Sequence, residues 1–179
     1  TDMEVEAGRD AIARAGVKAA DLDFVLVQSM CPEFAVVNNA PALEHRLGLR
    51  QGVLAIETQG ACNGFLLQLT LAESLIRSGR SRLGLVVQSC PISRLMDPNE
   101  PFSVWFGDGA SAGVVGPVAS DQGILSLSNY SDGSTRCALL GTIDEKTSWY
   151  QNGQVRIRSL EPFVGRKMLL RSADLAIQA

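Results

Sequence analysis

The sequence predicts an α/β layered fold built on a mostly parallel sheet, and three observations carry that prediction. Three short apolar runs, Phe24 to Val27, Val53 to Ile56 and Leu83 to Val87, are bounded by turn residues and have the continuous character of strands covered on both faces. Stretches with apolar residues at helical spacing separate them, the alternation that produces strand–helix–strand crossovers. A chain of 179 residues with 46% hydrophobic content can bury one good core.

Taken in order, the chain opens on TDMEVEAGRDAIARAG, where Val5, Gly8, Ile12 and Ala15 make one apolar face and Gly16 supplies the stop. After the turn AADLD comes the strand Phe24 to Val27. The segment MCPEFAVVNNAP is irregular and holds Phe34, Val36 and Val37. Apolar residues in such a loop line a pocket, meet a partner or pack beneath the loop itself. A helix from about Asn39 to Leu47 turns Ala40, Leu43 and Leu47 inward and is closed by Gly48. On that register His45, the only histidine, faces away from the core and reads as a surface residue rather than a catalytic one.

Val53 to Gly79 then reads as strand, tight turn and helix. Gly60, Ala61 and Gly64 are small, and Phe65, Leu69, Ala72 and Ile76 recur at helical spacing. Beyond the strand Leu83 to Val87, PISRLMDPNEPF is a polar, Pro-rich excursion. SVWFGDGASAGVVG reads as strand, Gly-rich turn, strand, with Gly107 and Gly109 permitting positive φ. Its spacing fits neither a P-loop nor a dinucleotide fingerprint. GILSLSNYSDG suggests an alternating strand with a turn, Gly141 to Gly153 a polar flap, and Pro162 the start of a helix running through Val164, Met168 and Leu175. An opening helix without a strand before it and a last helix without a closing glycine lead to the expectation of a piece cut at both ends.

The net charge of −3 comes from interspersed acids and bases, so no nucleic-acid partner is expected. No apolar run approaches spanning length and no leader signal opens the chain, so no membrane is expected and a cytoplasmic enzyme is the default. Cys31, Cys62, Cys90 and Cys137 are far apart, form no C-x-x-C and have one histidine for company, which argues for neither a metal site nor a disulfide framework.

Cys62 lies at the turn before a helix, where unpaired N–H groups and the positive end of the helix dipole favour a thiolate and its attack at neutral pH. Small neighbours let a carbonyl approach the sulfur. The other reading is a small buried hydrophobe.

The segment QGACNGF with its apolar helix, the strand LGLVVQSC and the run WFGDGASAGVV together resemble β-ketoacyl-acyl carrier protein synthase III and its relatives in the thiolase superfamily. The matching residues are Cys62, Gly64, Phe65 and Phe106 through Ala110, and the order and spacing extend over nearly all of the chain. The resemblance implies a thiolase-like layered fold, α-β-α-β-α, with five-stranded sheets in two similar halves and the nucleophile helix sandwiched between layers. Residues 1–120 would be the first half without its central opening strand, which would lie between Phe24–Val27 and Leu83–Val87. Residues 121–179 would hold a flap and the start of the second half, whose catalytic histidine and asparagine lie elsewhere.

The resemblance further implies ping-pong acyl transfer by an acyltransferase of fatty-acid or polyketide synthesis. Cys62 attacks an acyl thioester, backbone N–H groups including its own hold the oxyanion, and a second nucleophile takes the acyl group. A malonyl-type carbanion gives a β-ketoacyl product; an alcohol or amine gives an ester or amide. No permanently bound cofactor is implied, only acyl-CoA or an acyl carrier protein thioester as substrate, and the family forms homodimers. Candidate substrate-binding residues are Phe34, for the aromatic residue that reaches the neighbouring subunit's site, Asn63 beside the nucleophile, and Arg94. Where bacterial members carry a further arginine that holds coenzyme A, this chain reads Asn99, Glu100, Pro101, Phe102, which shifts weight toward a carrier-protein thioester. A silent thiolase-like subunit and a small α/β binding module with a structural cysteine are the competing readings; retention of Cys62 disfavours the first.

Overall fold

The computed structural model describes residues 1–33, 37–97, 99–135, 139–142 and 156–159. Phe34, Cys137, the flap over 143–153 and the helix expected from Pro162 lie outside the described residues. The chain divides into two compact units, Thr1–Ile92 with Gly107–Gly123 and Ser93–Phe106 with Ile124–Ala179.

In the first unit, helix α1 spans Asp2–Ala15, with Asp2 and Glu4 in its first turn and Gly16 at φ 65 as its cap. Acidic side chains there complement the helix dipole, and the left-handed cap is one only glycine adopts without strain. Its buried face is Glu4, Val5, Gly8 and Ala11. Ala15, expected inside, sits a turn further along and is exposed. At Gly8 a Cβ would stand 3.0 Å from Leu47 and 3.4 Å from Leu85, so the glycine sets how closely α1 packs.

Strand β1, Phe24–Ser29, is buried throughout. Helix α2, Ala40–Leu47, buries Ala40 and Leu43, and Gly48 caps it at φ 68. Strand β2 is Leu54–Glu57, helix α3 Gly64–Arg77, strand β3 Gly84–Cys90 and strand β4 Gly109–Val115. The sheet runs β2-β1-β3-β4, with β1 parallel to β2 and β3, and β4 antiparallel to β3. The side chains alternate as a pleated strand requires. Val25, Val27, Leu85 and Val87 pack with Val5 and Leu43 on one face, and Phe24, Leu26 and Val86 pack with Ala72 on the other. Coverage of both faces is why β1 and β3 read as continuous apolar runs, each large side chain contributing about 1.5–3 kcal/mol on burial.

The sheet has four described strands, and one expectation about it is corrected. No vacant position separates β1 from β3, where the opening strand was expected: they pair directly from Phe24 with Gly84 to Ser29 with Ser89, so their facing backbone groups bond to each other. Gly84 makes room for this, because the Phe24 ring occupies the space a Cβ there would fill, within 2.0 Å. Asp23 ties the strand starts together, its carboxylate accepting from Arg82 N at 2.7 Å, Leu83 N at 3.2 Å and Arg50 Nη2 at 2.7 Å. Those bonds, the Arg82 amide foremost, hold its pKa below the ordinary value.

Helix α3 was expected to be buried on all sides with Phe65 inward. It instead buries Gly64, Gln68 and Ala72, small and polar residues that suit close approach to a sheet face carrying glutamines. Phe65, Leu66, Leu67 and Leu71 stay exposed, as do Leu54 and Ile56 on the edge strand β2. Gly107 and Gly109, before and at the start of β4, do not use the positive φ open to them; among the described residues the left-handed glycines are 16, 48, 52, 79 and 123.

In the second unit, Pro101–Trp105 is a 3-10 turn where a strand was expected, since Pro101 opens a turn and gives up its amide. Residues 124–132 form no strand despite their alternation, which pays no dividend without a neighbouring strand to bond. Strands β5, Leu139–Thr142, and β6, Arg156–Ser159, pair antiparallel.

Candidate active site

The turn between β2 and α3 sits over the carboxyl ends of the parallel strands, the end where open α/β sheets gather ligands. Thr58 N donates to Val27 O at 2.8 Å and Gln59 Nε2 to Ser29 O at 3.2 Å, fastening the chain to β1 as it leaves β2. A single 3-10 turn, Ala61–Asn63, follows. Asn63 N donates to Gly60 O at 2.9 Å, and Gly64 N to Ala61 O. Cys62 is the middle residue of this turn and is exposed, with the amino end of α3 directly behind it.

The small residues have a structural role beyond access to sulfur. A Cβ on Gly60 would lie 3.2 Å from Gly64 Cα, and one on Gly64 would fall 1.2 Å from Gln28 Oε1, so a side chain at Gly60 would press on the turn and one at Gly64 would displace the Gln28 amide. Ala61 carries φ 45, the only positive φ of a non-glycine among the described residues, at a cost of about 1–2 kcal/mol. Strain of this kind persists where surrounding contacts fix it.

Two polar groups lie within the core at the same strand ends. On the α3 side Gln28 and Gln88 are register partners. Gln28 Nε2 donates to Ala61 O at 2.5 Å, Gln88 Nε2 to Gln68 Oε1 at 2.5 Å, and Gln68 Nε2 to Thr58 Oγ1 at 3.2 Å. On the α1 side Glu4, 1% exposed, accepts from Asn39 Nδ2 at 3.1 Å and Ser89 Oγ at 2.5 Å. Asn39 N donates to Glu57 Oε2 at 2.5 Å; burial, with help from the Glu4 charge, raises the Glu57 pKa. These groups escaped the sequence reading, although a glutamine at the same place in two apolar strands was a visible signal.

Cys90, at the end of β3, is half-buried. Burial above all, then charge on Cys62, Asp108 and Cys31, pushes its thiol pKa up. Among the described residues no cluster of three or more His, Cys, Asp or Glu could hold a metal ion, and no helix is long and apolar enough to cross a membrane. A cavity of about 360 Å³ lined by Asp23, Arg80 and Arg82 lies at the amino ends of the strands, away from Cys62.

Of the residues singled out in the sequence, Cys62 and Asn63 fall together in the turn, Asn63 as the exposed N-cap residue of α3. Arg94 ends a short 3-10 turn, exposed, in the second unit. Phe34 is outside the described residues. His45 is exposed on α2, as its helical register required.

Residues 56–133 match the family model for 3-oxoacyl-[acyl-carrier-protein (ACP)] synthase III. The structure is similar to that of 3-oxoacyl-[acyl-carrier-protein] synthase III from Aquifex aeolicus VF5, with TM-score 0.76 and 26% identity over 92% of this chain and 49% of that one. The enzyme of the same name from Pseudomonas aeruginosa PAO1 gives TM-score 0.77 and 26% identity over 95% and 50%. The priming β-ketosynthase of the R1128 polyketide biosynthetic pathway gives 0.75 and 28% over 92% and 48%. The chain thus spans about half the length of these matches. Its mixed sheet, covering helices and strand–turn–helix around Cys62 define a thiolase-like α/β fold. Within that class, the chain is similar to the synthase III model over residues 56–133 and to these synthase structures over most of its length.

Proposed function

We propose that this chain carries the acyl-accepting part of a condensing enzyme of fatty-acid or polyketide synthesis. The observation that carries the reading is Cys62, exposed in a glycine-flanked turn at the amino end of α3, within the stretch that matches the synthase III model. The Cys62 thiolate attacks the carbonyl of an acyl-CoA or acyl carrier protein thioester, and backbone N–H groups including that of Cys62 stabilise the oxyanion. Collapse expels the donor thiolate and leaves an acyl-cysteine. Decarboxylation of a malonyl thioester then supplies the carbanion that takes the acyl group, giving a β-ketoacyl thioester and restoring the thiolate. An alcohol or amine as second nucleophile would make an ester or amide instead.

Asn63, Phe34 and Arg94 are assigned to substrate binding. Residues 1–120 act as the first half and 121–179 as flap and beginning of the second, in a cytoplasmic homodimer. The exposed edge strand β2, with Leu54 and Ile56 on it, supports association through that edge, because an unpaired edge bearing apolar side chains invites a partner strand. The test is a single turnover with an acyl-CoA. Release of about one coenzyme A per chain, abolished in Cys62→Ala, followed by β-ketoacyl product on adding malonyl thioester, supports the reading. Equal release from the parent and Cys62→Ala would overturn it.

A further inference from the structure

We infer that Gln28 is a positioning residue that aims the Cys62 N–H at the developing oxyanion by holding the Ala61 carbonyl; the inference rests on Cys62 being the acyl-accepting nucleophile. The bond that links Ala61 to Cys62 is one planar trans unit, so its C=O and N–H point in opposite directions. The Ala61 carbonyl accepts from Gln28 Nε2 at 2.5 Å as well as from Gly64 N, so the Cys62 N–H, at the other edge of the same planar unit, points away from the Gln28 amide, and Cys62 itself is exposed. A donor on the carbonyl also polarises the amide and strengthens its N–H as a donor.

Three further observations agree. Ala61 is held at φ 45, and the Gln28 bond is a tertiary contact fixing the carbonyl of that strained residue. Gln28 is 2% exposed, and its Oε1 is the one buried side-chain polar atom with no partner among the described residues. An isosteric apolar residue would serve the core better, so a glutamine here works against packing. Gly64 leaves the room the amide occupies, since a Cβ there would fall 1.2 Å from Oε1.

The test uses the full chain with Gln28→Met, which keeps length and removes the donor. Two rates on Cys62 are compared: acylation by an acyl-CoA, which passes through a tetrahedral oxyanion, and alkylation by iodoacetamide, which does not. Removing an oxyanion donor lowers rates about 100- to 1000-fold, and misaiming one should lower acylation about 10- to 100-fold. Alkylation should change less than about threefold, and the thermal midpoint should hold or rise. Gln28→Glu, of the same size, donates only while protonated, so its ratio of acylation to alkylation should fall with rising pH where the parent's does not. Acylation of Gln28→Met at the parent rate would overturn the inference, as would a loss shared equally by both rates, which would mark mere support of the turn. A parent chain that is alkylated but never acylated would instead sink the proposed function and, with it, this role.

Discussion

Gly84→Ala tests the direct pairing of β1 with β3. The added Cβ would meet Phe24 Cε2 and Cζ at 2.0 Å, and an ordinary contact begins near 3.4 Å, so ring or strand must retreat by 3.4 − 2.0, or 1.4 Å. Phe24 is fully buried and packed among Leu26, Ala72 and Val86, with no open side to move into. Overpacking of a closed site costs about 1–3 kcal/mol, and the rigid ring places this case at about 2–3 kcal/mol. With a urea m-value of about 2 kcal/mol per molar, the midpoint should fall by about 1 M. The decisive measurement is the double variant with Phe24→Leu. If the clash is the cause, trimming the ring relieves it, and the double variant should be less destabilised than the sum of the singles by at least about 1 kcal/mol. Strict additivity, or a Gly84→Ala chain within about 0.5 kcal/mol of the parent, would show that Phe24 does not lie against Gly84 and that the β1–β3 register is wrong.

Other outcomes follow from the buried polar groups and cysteines. Burial raises the Glu57 pKa above its ordinary 4.5, so its contribution is full below that pH and is lost as pH rises through the folded value; urea midpoints at pH 4 and pH 7 should show a decline in the parent that Glu57→Gln lacks. Asp23 is shifted downward from 3.8, so its contribution is present above that pH and lost as pH falls through the folded value. Asp23→Asn should cost about 1–2 kcal/mol at pH 7, with the gap to the parent narrowing as the pH falls below 3.8. Limiting iodoacetamide at neutral pH with peptide mapping should label exposed Cys62 ahead of Cys90, whose thiol is disfavoured as thiolate by burial; earlier labelling of Cys90 would contradict the assignment.

What the sequence made legible followed local rules. Apolar runs marked β1 and β3, glycines 16, 48 and 79 marked helix ends, and glycines 60 and 64 around Cys62 marked the turn, because each is a local consequence of residue type. What it hid depended on which surfaces meet. The face of α3 was misread because Gln68, a polar residue, turned out to point inward, toward Gln88. The direct pairing of β1 with β3 could not be read from strands that look alike on both faces. The Gln28–Ala61 bond joins residues 33 apart, a separation no periodicity reports. The alternation over 124–132 misled for the opposite reason, a local pattern with no strand to pair with among the described residues.

The claim on which the account depends is that Cys62 accepts the acyl group. Incubating the chain with an acyl-CoA, quenching in acid and mapping peptides by mass spectrometry tests it directly. One acyl group should appear on the peptide containing Cys62, be released by hydroxylamine as a thioester is, and be absent from Cys62→Ala. An acyl group on Cys31, Cys90 or a lysine with Cys62 unmodified would contradict it.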